Sequence, residues 1–269
     1  MIPLRFQASG CDGYEPIVQA NSGLRYIREF GVLRLPPAQT YTGAGQPGEA
    51  LLHVIEGSCD ITAAGETITA LGARPTPFVG RPAALYLPPQ TPFQVAGLGQ
   101  GVEVTLTVAA GVPAAPAAAR TRLAVIRPET LAPRTVGQDN WVRTVTLIAP
   151  PNFPAQSLIL GETLNPPGNW SGVPAHKHDT FRPDVESVHE ELYYFRVDPP
   201  GGWGVERVYT PAGRDELVLV QDRVVTLKPR GFHTVAAAPG STLVYSFALG
   251  GPERTLIPFI DPLQAGLPA

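Results

Sequence analysis

The chain has 269 residues, 43% of them hydrophobic, with Pro 31, Gly 28 and a formal net charge of -3. That size and apolar content allow one large or two ordinary domains with a substantial core, and argue against disorder. A pI near 6.0 and the lack of any basic cluster argue against nucleic acid as a partner.

Pro and Gly together exceed a fifth of the residues, against a usual share of roughly an eighth. No amphipathic segment of good helix formers extends beyond about ten residues. Short strands punctuated by turns are the natural reading, which predicts an all-β fold with few helices. The first ten residues lack a charged region followed by an apolar core, so no signal peptide is expected. The longest apolar tract, residues 108–119, is too short to cross a bilayer and contains Pro113 and Pro116, so no membrane partner is expected. Cys11 and Cys59 have no metal spacing and read as ordinary thiols, which fits a cytoplasmic location.

In chain order, residues 13–18 and 23–30 are the first strand-like runs. Alternating patterns recur at 32–35, 51–57, 59–62, 66–69, 84–89 and 102–108. Strands this short and evenly spaced suit a sandwich or closed barrel. Residues 111–119 form a Pro/Ala connector, semi-rigid and extended, and mark a domain boundary. A second set of strands begins near Leu123, runs through 142–148 and 157–163, and ends near Phe259.

The chemistry concentrates in this second set. Ala175-His176-Lys177-His178-Asp179 carries a His-x-His pair, and on an extended strand both imidazoles share one face. Glu191 opens the strand-like run Glu-Leu-Tyr-Tyr-Phe-Arg-Val. His233 follows the Pro-x-Gly turn of Pro229-Arg230-Gly231 and starts another strand. Three imidazoles and one carboxylate from neighbouring strands predict a metal site at His176, His178, Glu191 and His233. Glu190 is the competing carboxylate, although alternation puts it on the face opposite Glu191. Tyr193 and Phe195 would share the Glu191 face and wall the cavity. Lys177, between two ligands, points away. His53 and His189 read as ordinary hydrogen-bonded histidines. Arg207 and Tyr209 share a side of one strand, where a guanidinium would grip a substrate carboxylate bidentately.

The two halves also show a short internal match. Leu87-Pro88-Pro89-Gln90-Thr91-Pro92-Phe93-Gln94-Val95 parallels Leu227-Lys228-Pro229-Arg230-Gly231-Phe232-His233-Thr234-Val235, with Phe93 in the place of His233. No His-x-His precedes the corresponding strand of the first half. The same fold is therefore expected twice, with the chemistry in the second copy.

His-x-His, a downstream Glu and a later Pro-x-Gly-x-His resemble the two motifs of the cupin superfamily, and two such halves look like a bicupin. More specifically, residues 165–262 resemble the 5-deoxy-glucuronate isomerases of myo-inositol catabolism. The matching stretches include Pro167-Gly168-Asn169-Trp170-Ser171, the His-x-His segment, Glu190-Glu191-Leu192-Tyr193-Tyr194, Glu206-Arg207-Val208-Tyr209-Thr210 and the segment ending in His233. Phe195 stands where a His is expected, and Ser241-Thr242 stand where the family tends to show Tyr-Asp.

The resemblance implies two tandem small jelly-roll barrels. Residues 1–115 would form a degenerate barrel without ligands, and 120–269 the metal-binding one. It implies His176, His178, Glu191 and His233 as ligands, and zinc or manganese as the ion. The donor set alone also admits Fe(II) and Ni(II). The implied reaction is aldose–ketose isomerisation of a deoxy-uronate, with a small sugar acid as the partner. Glu191 and Tyr193 are placed at the reacting end and Arg207 and Tyr209 on the substrate, and the base stays open among Tyr193, Glu206, Asp179 and a metal-bound hydroxide. A cupin dioxygenase using Fe(II) and a non-catalytic sugar-binding bicupin are the competing readings. Barrel edges and the Pro-rich rim suggest a homo-oligomer.

Overall fold

The structure is a computed structural model and describes residues 2–111 and 122–267. Apart from Gly111, the Pro/Ala connector lies outside the described residues. The first strands are β1 (Arg5–Gln7), β2 (Gly13–Val18), β3 (Ile27–Leu35), β4 (Thr40–Gly43) and β5 (Ala50–Ala63). They are followed by β6 (Glu66–Arg74), β7 (Ala83–Leu87), β8 (Phe93–Ala109) and β9 (Ala124–Ile126). The second half begins with β10 (Arg134–Val136), β11 (Arg143–Ala149), β12 (Leu158–Asn165), β13 (Trp170–Lys177), β14 (Asp179–Arg182) and β15 (Glu186–Val188). Then come β16 (Glu190–Asp198), β17 (Gly204–Tyr209), β18 (Asp215–Val220) and β19 (Val224–Lys228). The last are β20 (Phe232–Ala237), β21 (Thr242–Gly250) and β22 (Phe259–Ile260). Helical structure among the described residues is confined to three short 3-10 turns, so the fold is all-β as the composition predicts.

The first half is one eight-stranded sheet, in the order β2-β3-β8-β5-β7-β9, with β4 added on β8 and β6 on β5. It can wrap around its own core because β5 and β8 are long and bent. The β5–β8 register shifts between Gly57 and Ser58. Gly57 there has φ +79°, and a Cβ would meet the Gly101 carbonyl oxygen at 2.0 Å. Only glycine allows the two backbones to approach this closely. The enclosed interior is apolar and includes Leu52, Leu85, Phe93, Val95 and Leu106. Phe93 thus fills space inside the first half.

In the second half, a seven-stranded sheet (β1-β19-β16-β21-β12-β11-β10) packs on a five-stranded one (β18-β17-β20-β13-β22). Tyr193, Phe195 and Tyr245 from the first sheet meet Val235 and Ala237 from the second in a shared core. The opposite face of β16 is buried too. Leu192 and Tyr194 join a large cluster with Phe30, Val32, Leu51 and Tyr86 of the first half. Burial on both sides explains why this strand reads as a nearly continuous run of large apolar residues.

Buried charge reinforces that junction. The Glu49 carboxylate accepts backbone N–H groups of Gln156, Ser157 and Leu158 at 2.5, 2.7 and 2.8 Å. Arg74 forks onto Glu162 at 2.8 and 2.5 Å.

A linear division into 1–115 and 120–269 needs one correction. β1 pairs with β19 of the second half, Arg5 opposite Thr226. β9, beyond the connector, pairs with β7 of the first half. Each half thus borrows a three-residue strand from the other's stretch of chain. Local composition carries no sign of this exchange.

Candidate metal centre

β13 brings His176 and the residue after its end, His178, to the rim of the second sandwich. Between them Lys177 turns outward. Its ammonium is held by Asp179 Oδ1 at 2.7 Å and Glu186 Oε1 at 2.6 Å. Asp179 Oδ2 also accepts the Gly231 N–H at 2.8 Å, tying the His-x-His segment to the turn that precedes His233. His233 on β20 sits opposite His176 in the β13–β20 register. Glu191 on β16 arrives from the other sheet.

These four side chains converge. The ligand atoms of His176, His178 and His233 all lie within 4.8 Å of one another. Glu191 Oε2 lies 3.0 Å from His233 Nε2 and 3.3 Å from His178 Nε2. Each imidazole is oriented by its other nitrogen. Nδ1–H donates to Pro174 O at 3.1 Å from His176, to His189 O at 3.0 Å from His178, and to Gly231 O at 3.2 Å from His233. A carbonyl can only accept, so Nδ1 carries a proton in each ring and Nε2 is turned inward.

Burial opposes protonation of His178, but the hydrogen bond and charge of Glu191 outweigh it and raise the imidazole. Burial, with the charges of His233 and His178 next, pushes the His176 imidazole down to about 3. Burial opposes ionisation of Glu191, but the His178 and His233 imidazoles beside it outweigh that and hold the carboxyl well below the usual range. His233 Nε2 is buried and has no aligned hydrogen-bond partner despite the nearby carboxylate. An orphaned inward nitrogen beside two further Nε2 atoms and a carboxylate fits a divalent ion, with room for substrate oxygens on it.

The centre opens into a cavity of about 200 Å³ lined by His176, His178, Glu191, Tyr193, Tyr245 and Arg143, among others. Tyr193 and Tyr245 pack against each other tilted by 33°, with ring centroids 4.5 Å apart. Burial, then the Glu191 charge, raises the Tyr193 hydroxyl well above its ordinary range, so it keeps its proton. Tyr245 donates to Ser171 Oγ at 2.8 Å, and burial pushes it up to about 12.

The remaining candidates fall elsewhere. Glu190 points away from the centre and accepts the backbone N–H groups of Arg25 and Tyr26 at 2.7 Å each. His53 contacts Ser246 Oγ at 2.9 Å at the junction of the halves. His189 contacts Glu253 O at 3.0 Å.

Arg207 and Tyr209 need a correction. They share a side of β17, but it is the outer one. Val208, not Arg207, is paired with His233 in the register, and alternation turns Glu206 and Val208 inward. The Arg207 fork is taken by Asp215 at 2.8 and 2.8 Å, and the pair is exposed. Tyr209 donates to Asp261. The inward Glu206 instead pairs with Lys228 at 3.0 Å, beneath Tyr193, whose ring centroid lies 3.1 Å from the ammonium.

The arginine that does reach the cavity is Arg143 on β11, which the sequence reading passed over. Alternation along β11 places Arg143, Val145 and Leu147 on one side, and all three line the cavity. That periodicity is visible in the sequence, but which side faces inward is not.

Comparison with known proteins gives a consistent picture. A family model described as KduI/IolB family matches residues 6–265. The chain is 34% identical over 235 residues to a 5-deoxy-glucuronate isomerase of Geobacillus kaustophilus, covering 87% of this chain and 82% of that one. It is 30% identical over 249 residues to the 5-deoxy-glucuronate isomerase of Bacillus subtilis, covering 91% and 89%. Among solved structures, an IolB-like protein from Salmonella typhimurium superposes with a TM-score of 0.90 at 29% identity over 98% of both chains. An oxalate decarboxylase from Lactobacillus farciminis superposes at 0.67 with 15% identity, covering 96% of this chain and 88% of that one, a likeness of fold alone.

Proposed function

The chain belongs to the KduI/IolB family, and from that premise we propose a metal-dependent aldose–ketose isomerase that converts 5-deoxy-glucuronate to 2-deoxy-5-keto-gluconate in inositol catabolism. The supporting observation is the convergence of three inward Nε2 atoms and one carboxylate at the floor of a cavity fit for a small ligand. The names of the matched relatives supply the substrate.

His176, His178, His233 and Glu191 would hold the ion, with zinc or manganese preferred. Bound there, a divalent cation supplies Lewis-acid polarisation of a carbonyl and its neighbouring hydroxyl. The backbone carbonyls behind the three imidazoles fix their tautomers and keep the donor set preorganised. Glu191, its carboxyl held well below the usual range by the imidazoles beside it, serves as the fourth donor. Tyr193, holding its proton, donates a hydrogen bond to a substrate oxygen at the reacting end. The reaction is redox-neutral: one proton moves from C2 to C1 and one from the C2 hydroxyl to the former aldehyde oxygen, and a positioned proton donor typically contributes about 10² to 10⁴ in rate. Tyr245 and the apolar wall at Val145, Leu147 and Phe247 limit water around the substrate.

The test is metal analysis of the purified protein, combined with aldehyde loss from 5-deoxy-glucuronate followed by proton NMR. Turnover that disappears on chelation and returns with zinc or manganese is expected. A metal-loaded protein that leaves 5-deoxy-glucuronate untouched would overturn the substrate assignment.

A further inference from the structure

The cavity wall carries an arginine that no carboxylate pairs with among the described residues. It is Arg143, which lines the cavity together with His176, His178 and Glu191. Its contacts are two long hydrogen bonds to backbone carbonyls, Nη1 to Trp141 O at 3.2 Å and Nη2 to Val173 O at 3.3 Å. Those use two of the five N–H donors of a guanidinium. Two more deeply buried arginines are neutralised, Arg74 by Glu162 and Arg196 by Glu103, whereas Arg254, away from this cavity, is saturated by four backbone carbonyls. Burial lowers the Arg143 value, although the Tyr245 and Tyr193 hydroxyls work the other way. An arginine kept half-desolvated and unneutralised at the wall of a ligand cavity is completed by an anion that the ligand brings.

We infer that Arg143 binds the carboxylate of the substrate, so that the sugar acid spans the cavity with its carbonyl end at the His/Glu cluster and its acid end at β11. The assignment rests on the isomerase reading and adds its specificity determinant. Uronates and other open-chain hexose acids are accepted, and neutral aldoses of the same length are rejected. The two carbonyl contacts hold the guanidinium plane in place before substrate arrives. Arg143 acts at the end remote from the reacting carbons, so its contribution is to binding.

The experiment compares wild type, Arg143→Met and Arg143→Lys, all metal-loaded and matched for melting temperature. Calorimetric binding of gluconate and of sorbitol, neither of which is isomerised, reads the charge preference directly. Wild type should favour gluconate by about tenfold or more, Arg143→Met should show no preference, and Arg143→Lys should retain part of it. With 5-deoxy-glucuronate, Arg143→Met should raise KM by about 10- to 100-fold while kcat stays within about threefold. Should Arg143→Met fail to fold, the Arg143→Lys comparison carries the test, since a point charge cannot reproduce the fork. An undiminished gluconate preference in the variants would overturn the inference while leaving isomerase activity intact. A wild type inactive on 5-deoxy-glucuronate that still loses gluconate preference on Arg143→Met would overturn the substrate reading instead.

Discussion

Glu191 and His233 meet at 3.0 Å although they belong to different sheets, Glu191 to the seven-stranded sheet and His233 to the five-stranded one. A metal shared between them would cross-link the sandwich, so ligation and stability should move together. Replacing His178 or His233 by Ala, or Glu191 by Gln, should drop metal content to about a tenth of wild type or less. Metal should raise the melting temperature of the wild type, and the same changes should abolish that increase. Elemental analysis and thermal scans with and without chelator check both. Full occupancy in His178→Ala would remove that residue from the site.

Asp179 touches no inward nitrogen, but it clamps Lys177 with one oxygen and the Gly231 N–H with the other. Asp179→Ala should therefore loosen the His233 turn and weaken metal binding by about 10- to 100-fold, without removing a ligand. Competition against a chelator of known affinity measures it. An unchanged dissociation constant would show that the turn holds itself.

How much of this was legible beforehand depended on which facts are local. His-x-His, the Glu191 face and the inward set Tyr193 and Phe195 follow from period-two alternation within one strand. The outward turn of Lys177 and Glu190 follows from the same rule. The identity of the substrate-facing arginine does not. Glu-Arg-Val-Tyr of β17 alternates with charge on both sides, and its parity is set by Lys228, 22 residues away, burying Glu206. Arg-Thr-Val-Thr-Leu of β11 gives no inward side until Val145 is seen opposite Thr163 of β12.

Lys228 and Glu206 form a fully buried pair, with Glu206 Oε2 unsatisfied. Burial lowers the Lys228 value, and the Glu206 charge opposes that fall only in part. Lys228→Met or Glu206→Leu alone should cost about 3–5 kcal/mol, because each strands its partner in the interior. The double variant Lys228→Met/Glu206→Leu should cost less than the sum by more than about 1 kcal/mol. Denaturant unfolding of the four proteins completes the cycle, and strict additivity would show that the two charges do not support each other.

Glu162 supplies a pH signature at the junction of the halves. Burial alone would raise its carboxyl, but the charge and forked hydrogen bonds of Arg74 prevail and hold it at about 2, against an ordinary 4.5. With the folded-state value depressed, the stabilisation is fully present above about 4.5 and is lost as pH falls through about 2. Glu162→Gln, which strands Arg74, should cost about 3–5 kcal/mol at pH 7. The gap between wild type and variant should narrow progressively below pH 4.5. Denaturant titrations at pH 7, 4 and 3 read this, and a gap that stays constant to pH 3 would assign the acid sensitivity elsewhere.

The exchange of β1 and β9 limits what a protein engineer can do with the two look-alike halves. Excising the second as a minimal catalyst would carry away a sheet missing its first strand, with the backbone of Val224–Thr226 opened to solvent or to a stray chain. Excising the first would uncover the bare flank of β7 in the same way. Modularity has been given up: neither copy is a transplantable cassette, and a fusion or circular permutation must keep both borrowed ribbons with their hosts.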